Sequence, residues 1–190
     1  LFWNYLRNPC LRDYSLTKRP GWLALRGSAL RIDDLASPTL LCRRQRDFAC
    51  YMETRMEFLP EKEGQEAGMI LFLSNQFYYK LVKRREKDGE YLCMEKRAED
   101  FFQQVCRIPV THEGIVYLAV RARRLSYTFF WGYGKDAMKE IGTASTRFLS
   151  CEVAGRSFTG TFAVLYATGN GQDCTREAFF DYFIMKPEKI

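Results

Sequence analysis

The sequence predicts an all-β fold, an antiparallel sandwich of two sheets of the jelly-roll type, and three observations carry that prediction. Residues 48–58 alternate with a period of two: Phe48, Cys50, Met52, Thr54, Met56 and Phe58 on one side, Ala49, Tyr51, Glu53, Arg55 and Glu57 on the other. Turn chemistry recurs between apolar runs, at Pro20-Gly21, Asp88-Gly89, Glu113-Gly114, Gly134-Lys135 and Gly169-Asn170-Gly171. Aromatic residues make up 15% of the chain (15 Phe, 11 Tyr, 3 Trp), and such flat side chains pack well on a pleated surface.

In chain order the expected strands lie near residues 23–25, 39–43, 48–58, 69–73, 77–82, 91–96, 101–106, 116–121, 127–133, 161–167 and 179–185. The 48–58 strand is expected to have one wet face. A polar loop, Glu61 to Glu66, separates two strands, and residues 97–102 are the one short helix candidate. With no internal repeat and no linker composition, the 190 residues are expected to form a single domain, 1–190.

Lys and Arg number 29 against 23 Asp and Glu, a formal charge of +6. The basic residues come in separate pieces (Arg43, Arg44, Arg46; Lys83, Arg84, Arg85, Lys87; Arg121, Arg123, Arg124), several broken by acids. That is the pattern of solvated strand faces and hairpin tips, so no nucleic-acid partner is expected. The seven cysteines (10, 42, 50, 93, 106, 151 and 174) form no C-x-x-C pair, and several sit in apolar strands as small buried hydrophobes. Unpaired thiols lean toward a reducing compartment such as the cytoplasm. No run approaches the length of a membrane helix, so no membrane partner is expected. The chain opens on Leu1 rather than Met and is read as a C-terminal portion of something longer.

No constellation of catalytic residues is legible in the sequence. His112, the only histidine, sits in a Thr-His-Glu-Gly turn with no G-x-S-x-G elbow, and reads as a solvated loop residue. A sandwich glucanase would need two carboxyls about 5–5.5 Å apart for retention or about 6.5–9.5 Å for inversion. Glu86-Lys-Asp-Gly-Glu90 spans an Asp-Gly turn and reads as a hairpin tip. Glu53 and Glu57 are roughly 13 Å apart along one strand and make no pair. No metal site and no cofactor are expected, with structural calcium near Asp173 and Asp181 the one option left open. Trp22, Trp131, Tyr133, Tyr78 and Tyr79 are candidates for stacking on sugar rings.

Short blocks then arrive in a telling order: Trp3-Asn-Tyr-Leu-Arg-Asn-Pro9, Tyr14-Ser-Leu-Thr, Arg19-Pro-Gly-Trp-Leu-Ala-Leu-Arg-Gly-Ser28, Ser37-Pro-Thr-Leu-Leu, Arg43-Arg-Gln45, Glu66-Ala-Gly68, Phe158 to Asn170, and Phe179-Phe-Asp-Tyr-Phe183. Over nearly its whole length the chain resembles the C-terminal concanavalin A-like sandwich of family 43 glycoside hydrolases, the β-xylosidases and arabinofuranosidases. The resemblance implies that catalysis belongs to a five-bladed propeller preceding Leu1, and that this sandwich is an ancillary domain with no catalytic residue of its own. It further implies a loop carrying a phenylalanine toward the propeller's pocket, which is narrowed to xylo-oligosaccharides or arabinoxylan fragments. Phe158, flanked by Arg156 and Thr159, is the choice for that role, and Phe162 is read as core. A homo-oligomer is left open. The alternative is an autonomous carbohydrate-binding module. The Phe129 to Met138 hairpin departs from the family pattern, with Met138 where a Trp is usual.

Overall fold

A computed structural model of the chain describes residues 2–110, 114–155, 159–174 and 176–189. Among these described residues there are thirteen strands: β1 (Tyr14–Ser15), β2 (Leu23–Arg26), β3 (Leu40–Arg44), β4 (Cys50–Glu57), β5 (Glu66–Ser74), β6 (Phe77–Glu86), β7 (Gly89–Ala98), β8 (Phe101–Pro109), β9 (Ile115–Ala122), β10 (Ser126–Gly132), β11 (Lys139–Ser145), β12 (Phe162–Thr168) and β13 (Glu177–Pro187). Among the described residues a single short α-helix, α1 (Cys151–Ala154), precedes β12. Strands β1-β2-β13-β4-β9-β10-β11 form a seven-stranded sheet and β3-β12-β5-β6-β7-β8 a six-stranded one. Every strand pair is antiparallel, as the sequence predicts.

The main core lies between the sheets, built from the inward positions of both: Met52 and Met56, Leu71, Leu81, Leu118 and Val120, Phe129, and Leu165. Each such side chain contributes about 1.5–3 kcal/mol by leaving water. Tyr79 stands at the centre, edge-on to Tyr127 and Phe129 at 6.2 and 6.3 Å, and its hydroxyl donates to the Ser145 carbonyl at 2.7 Å. That hydrogen bond removes the cost of burying a phenol.

All eleven predicted strands exist, and two more appear. β1 has two residues, and β11 is an edge strand whose Lys-Glu-Ile-Gly-Thr-Ala-Ser sequence has little apolar alternation. Edge strands are often charged in this way, which blocks pairing with other chains. The 97–102 helix is a misreading: β7 runs to Ala98, Glu99 turns the chain at φ 56, and β8 begins at Phe101. Its six residues are the tip of a hairpin held by the pairing of β7 with β8. Phe48 is also misplaced, because the chain enters β4 only at Cys50 and leaves Phe48 78% exposed.

Of the basic residues read as solvated, one is buried and a second is largely covered. Lys83 continues the inward row Phe77, Tyr79, Leu81 on β6; it is 1% exposed, and its amine donates to the Phe58 carbonyl at 2.9 Å and pairs with Glu90 at 2.8 Å. Arg84 joins Lys80, Glu66 and Glu95 on the outer face of the six-stranded sheet, in four ion pairs of 2.6 to 2.9 Å. Period-two patterning alone does not reveal this network, because its charges read as a wet face until the loop between β2 and β3 is seen to cover part of that sheet.

Candidate functional site

The loop between α1 and β12 leaves from one end of the sandwich. Arg156 and Phe158, and His112 elsewhere, lie outside the described residues. What holds the loop's two feet is well defined. On the first side, Ser150 caps α1 by accepting from the Val153 amide at 3.4 Å, and Gly155 ends the helix at φ 64, a left-handed conformation that glycine adopts without a steric penalty. On the second side, Gly160 has φ 72 and Thr159 is exposed.

The Arg43-Arg-Gln45 block supports that second side. The Arg44 guanidinium donates to the Thr159 carbonyl and lies over the Phe162 ring at 5.0 Å. The Gln45 amide donates to the Thr161 carbonyl at 2.9 Å, and its side-chain oxygen accepts from the Tyr127 hydroxyl at 3.0 Å. Thr161 in turn donates to the Leu149 carbonyl at 3.0 Å. Phe162, read as core, belongs to a satellite cluster on the outer face of the six-stranded sheet, beside Cys42, Phe72 and Val164, and not to the core between the sheets.

Beside the loop is a cleft of about 510 Å³ whose lining includes Arg46, Phe48, Arg123, Leu125 and Arg147. Phe48 and Leu125 are 78% and 62% exposed, and Phe2, held beneath Arg43 and Arg46 at 5.3 and 4.9 Å, is also exposed. Phe48 and Leu125 share the cleft lining with Ser150, Cys151 and Gly160, and together with exposed Val153 of α1 they make an apolar collar at the loop's base. Single exposed apolar side chains are ordinary, but several around one loop mark an interaction surface.

The predicted sugar-stacking residues do not come together. Trp22 precedes β2 and is nearly buried, with the Arg19 guanidinium 3.8 Å above its ring. Trp131 and Tyr133 are an edge-on pair 5.1 Å apart at the end of β10. Three strands intervene between β2 and β10, which at ~4.8 Å per strand is a separation of about 19 Å. Tyr79 belongs to the core, and Tyr78 is buried in the satellite cluster.

The carboxylates are occupied. Glu53, 1% exposed, accepts from the hydroxyls of Tyr51 at 2.8 Å and Tyr182 at 2.5 Å and pairs with Lys135 at 3.4 Å, so the outward face of β4 is not wet at its centre. Burial and then the neighbouring Glu53 charge push both tyrosines well above the ordinary phenol range. Glu57 pairs with Arg19 at 2.9 Å and Asp181 with Arg55 at 2.9 Å, while Asp173 accepts from the Ala29 amide at 3.1 Å. No group of three or more His, Cys, Asp or Glu among the described residues could hold a metal ion.

The sequence reading missed Arg44 and Gln45 as the supports of the loop, although both stand in one of the blocks it singled out. Comparison with known proteins agrees with those blocks. Residues 1–186 match the beta xylosidase C-terminal concanavalin A-like domain. The chain is 36% identical over 186 residues to a non-reducing end alpha-L-arabinofuranosidase of Bacteroides ovatus, covering 96% of the chain and 34% of that protein. It is 31% identical to a xylosidase/arabinosidase of Humicola insolens, covering 96% of the chain and 36% of that protein. Among solved structures, the Bacteroides ovatus xyloglucan-locus GH43B superimposes with a TM-score of 0.93 at 33% identity, over 99% of this chain and 37% of that one. A xylan beta-1,4-xylosidase of Bacillus halodurans gives 0.90 at 29% identity, over 97% and 36%. The chain thus spans about a third of the length of the relatives it matches. It belongs to the family of C-terminal concanavalin A-like domains of the family 43 β-xylosidases and arabinofuranosidases.

Proposed function

We propose that this domain is the ancillary sandwich of a family 43 glycosidase acting on xylosides or arabinosides. Its loop end packs against a catalytic propeller of the same polypeptide, and Phe158 reaches toward that propeller's substrate pocket. The observation that carries the reading is the support given to one short loop: Arg44 and Gln45 hold Thr159 and Thr161 on its second side, and exposed Phe48, Leu125 and Val153 lie at its base. Such a collar is costly in water and is stabilised by burial against a partner. A phenylalanine projecting from it adds apolar contact and excludes water from a xylo-oligosaccharide or arabinoxylan fragment without adding charge. The occupied carboxylates agree with a supporting role, since Glu53 and Glu57 are each committed to internal partners.

The experiment is kinetic. In the full-length enzyme, Phe158→Ala lowers kcat/KM on xylobiose several-fold with Tm unchanged. Unchanged kinetics would remove Phe158 from the pocket.

A further inference from the structure

A second cleft, of about 690 Å³, runs along the flank of the sandwich, with none of Phe48, Leu125 or Val153 in its lining. It exists because the seven-stranded sheet loses a strand there: β2 pairs with β13 only as far as Phe180, whereas β13 continues to Pro187 with β4 alone beside it. Leu41 of β3 and Leu165 of β12, on the other sheet, line the cleft together with Phe183.

Its walls are aromatic and fixed. Trp3 is edge-on to Phe183 at 5.3 Å and Tyr5 to Tyr14 at 5.1 Å. Tyr14 is locked by two hydrogen bonds, its hydroxyl donating to the Leu40 carbonyl at 3.0 Å and accepting from the Leu40 amide at 2.9 Å. Burial pushes its phenol up to about 12, so it stays neutral. Tyr182 also lines the cleft, with its hydroxyl committed to Glu53, so what it offers a ligand is ring surface. Tyr5 is 45% exposed at the mouth. Rings already held in place lose little conformational entropy on binding.

The polar groups at this cleft are few and electrically balanced. Asp181 is paired with Arg55, and Ser15 turns its hydroxyl to the amides of Thr17 and Lys18 at 3.2 and 3.1 Å. A predominantly apolar, aromatic-rich cleft of this size with a small number of polar groups fits a small neutral ligand rather than an ion. Rings with apolar C–H faces and hydroxyls around their rims match it best.

We propose that this flank cleft, lined by Trp3, Tyr5, Tyr14 and Tyr182, is a second glycan site that holds a short neutral pentose oligosaccharide apart from the catalytic pocket. The choice of pentose rests on the function proposed above; the place of the site does not.

The test is isothermal titration of the 190-residue chain with xylobiose, xylotriose and arabinoxylan oligosaccharides, followed by amide chemical-shift mapping. Saturable binding is expected, with shifts centred on the cleft. Tyr5→Ala should weaken it at least ten-fold, and Phe48→Ala, in the collar, should leave it unchanged. Asp181→Asn serves as a second variant that keeps the aromatic walls and should weaken binding through the rim. No binding at millimolar sugar, shifts elsewhere, or binding indifferent to both Tyr5→Ala and Asp181→Asn overturns the proposal. The Phe158 experiment fails or succeeds independently, because it reads turnover in the catalytic pocket and this one reads affinity on the flank.

Discussion

Arg44 and Thr159 are 115 positions apart in sequence, yet the guanidinium of the first donates to the main-chain carbonyl of the second. β3 and β12 are neighbours in the six-stranded sheet, and the pairing of Phe162 with Arg44 sets this contact just before the start of β12. Arg44→Ala should therefore loosen the loop's second side without unfolding the sheet. Because Arg44 is exposed, the loss in stability should stay below about 1 kcal/mol. Hydrogen exchange at residues 159–162 should accelerate while exchange in β4 and β9 stays slow. Uniform acceleration across the sheets would show that Arg44 supports the fold rather than the loop.

Glu66, Lys80, Arg84 and Glu95 form a closed charge network within the protein. Burial alone would raise the Glu66 and Glu95 carboxyls, but Lys80 and Arg84 outweigh it and hold both below the usual carboxylate range. The stabilisation they give is complete above the unfolded carboxylate pKa of about 4.3 and is lost as pH falls through their lower folded values. Glu66→Ala leaves Lys80 and Arg84 short of a partner in a buried setting and should cost about 3–5 kcal/mol. Thermal melts from pH 7 down to pH 3 check both points: the variant melts far lower at neutral pH, and the gap between variant and parent narrows in acid.

Gly68 sits where β5 meets β6, and a Cβ there would lie 2.2 Å from the Leu81 carbonyl oxygen and 2.8 Å from the Val82 Cα. Backbone cannot yield as a flexible side chain can. Gly68→Ala should force the two central strands apart and destabilise by about 3 kcal/mol or more. A denaturant titration with an unchanged midpoint would contradict the packing described.

The thiols should differ sharply in reactivity. Burial pushes Cys42 and Cys50 up to about 11 and Cys93 and Cys174 up to about 12, so each carries very little of the reactive thiolate near neutrality. Cys10 is exposed. Ellman's reagent should label Cys10 first in the native protein, and the four buried thiols only on unfolding. Equal native rates for Cys10 and Cys93 would defeat this prediction.

Much of this was legible because a strand advertises itself. The two-residue alternation of β4 and β9, and turns such as Pro20-Gly21, marked the places where only extended chain could bury one face. The failures have local causes. β11 lies at an edge, faces one neighbour, and needs no apolar stripe. The 97–102 segment holds too few residues for its period to distinguish a helix from a hairpin tip. Phe48 continued a pattern that the backbone had not yet joined.

The blocks from Trp3 to Phe183 sufficed to place the chain in its family, because their residues answer to local demands. Gly68 admits a neighbouring strand, and Asn170 turns the chain at φ 51 while its side-chain amide donates to the Gly64 carbonyl at 2.6 Å. Sequence by itself therefore determined eleven of the strands, most of their inward faces and the kinship. Only the tertiary structure decided which charges are buried, that Arg44 and Gln45 support the loop of Phe158, and that β2 stops short of the end of β13 and opens an aromatic cleft. Those properties depend on which strands become neighbours, and neighbours far apart in sequence leave no periodic trace along it.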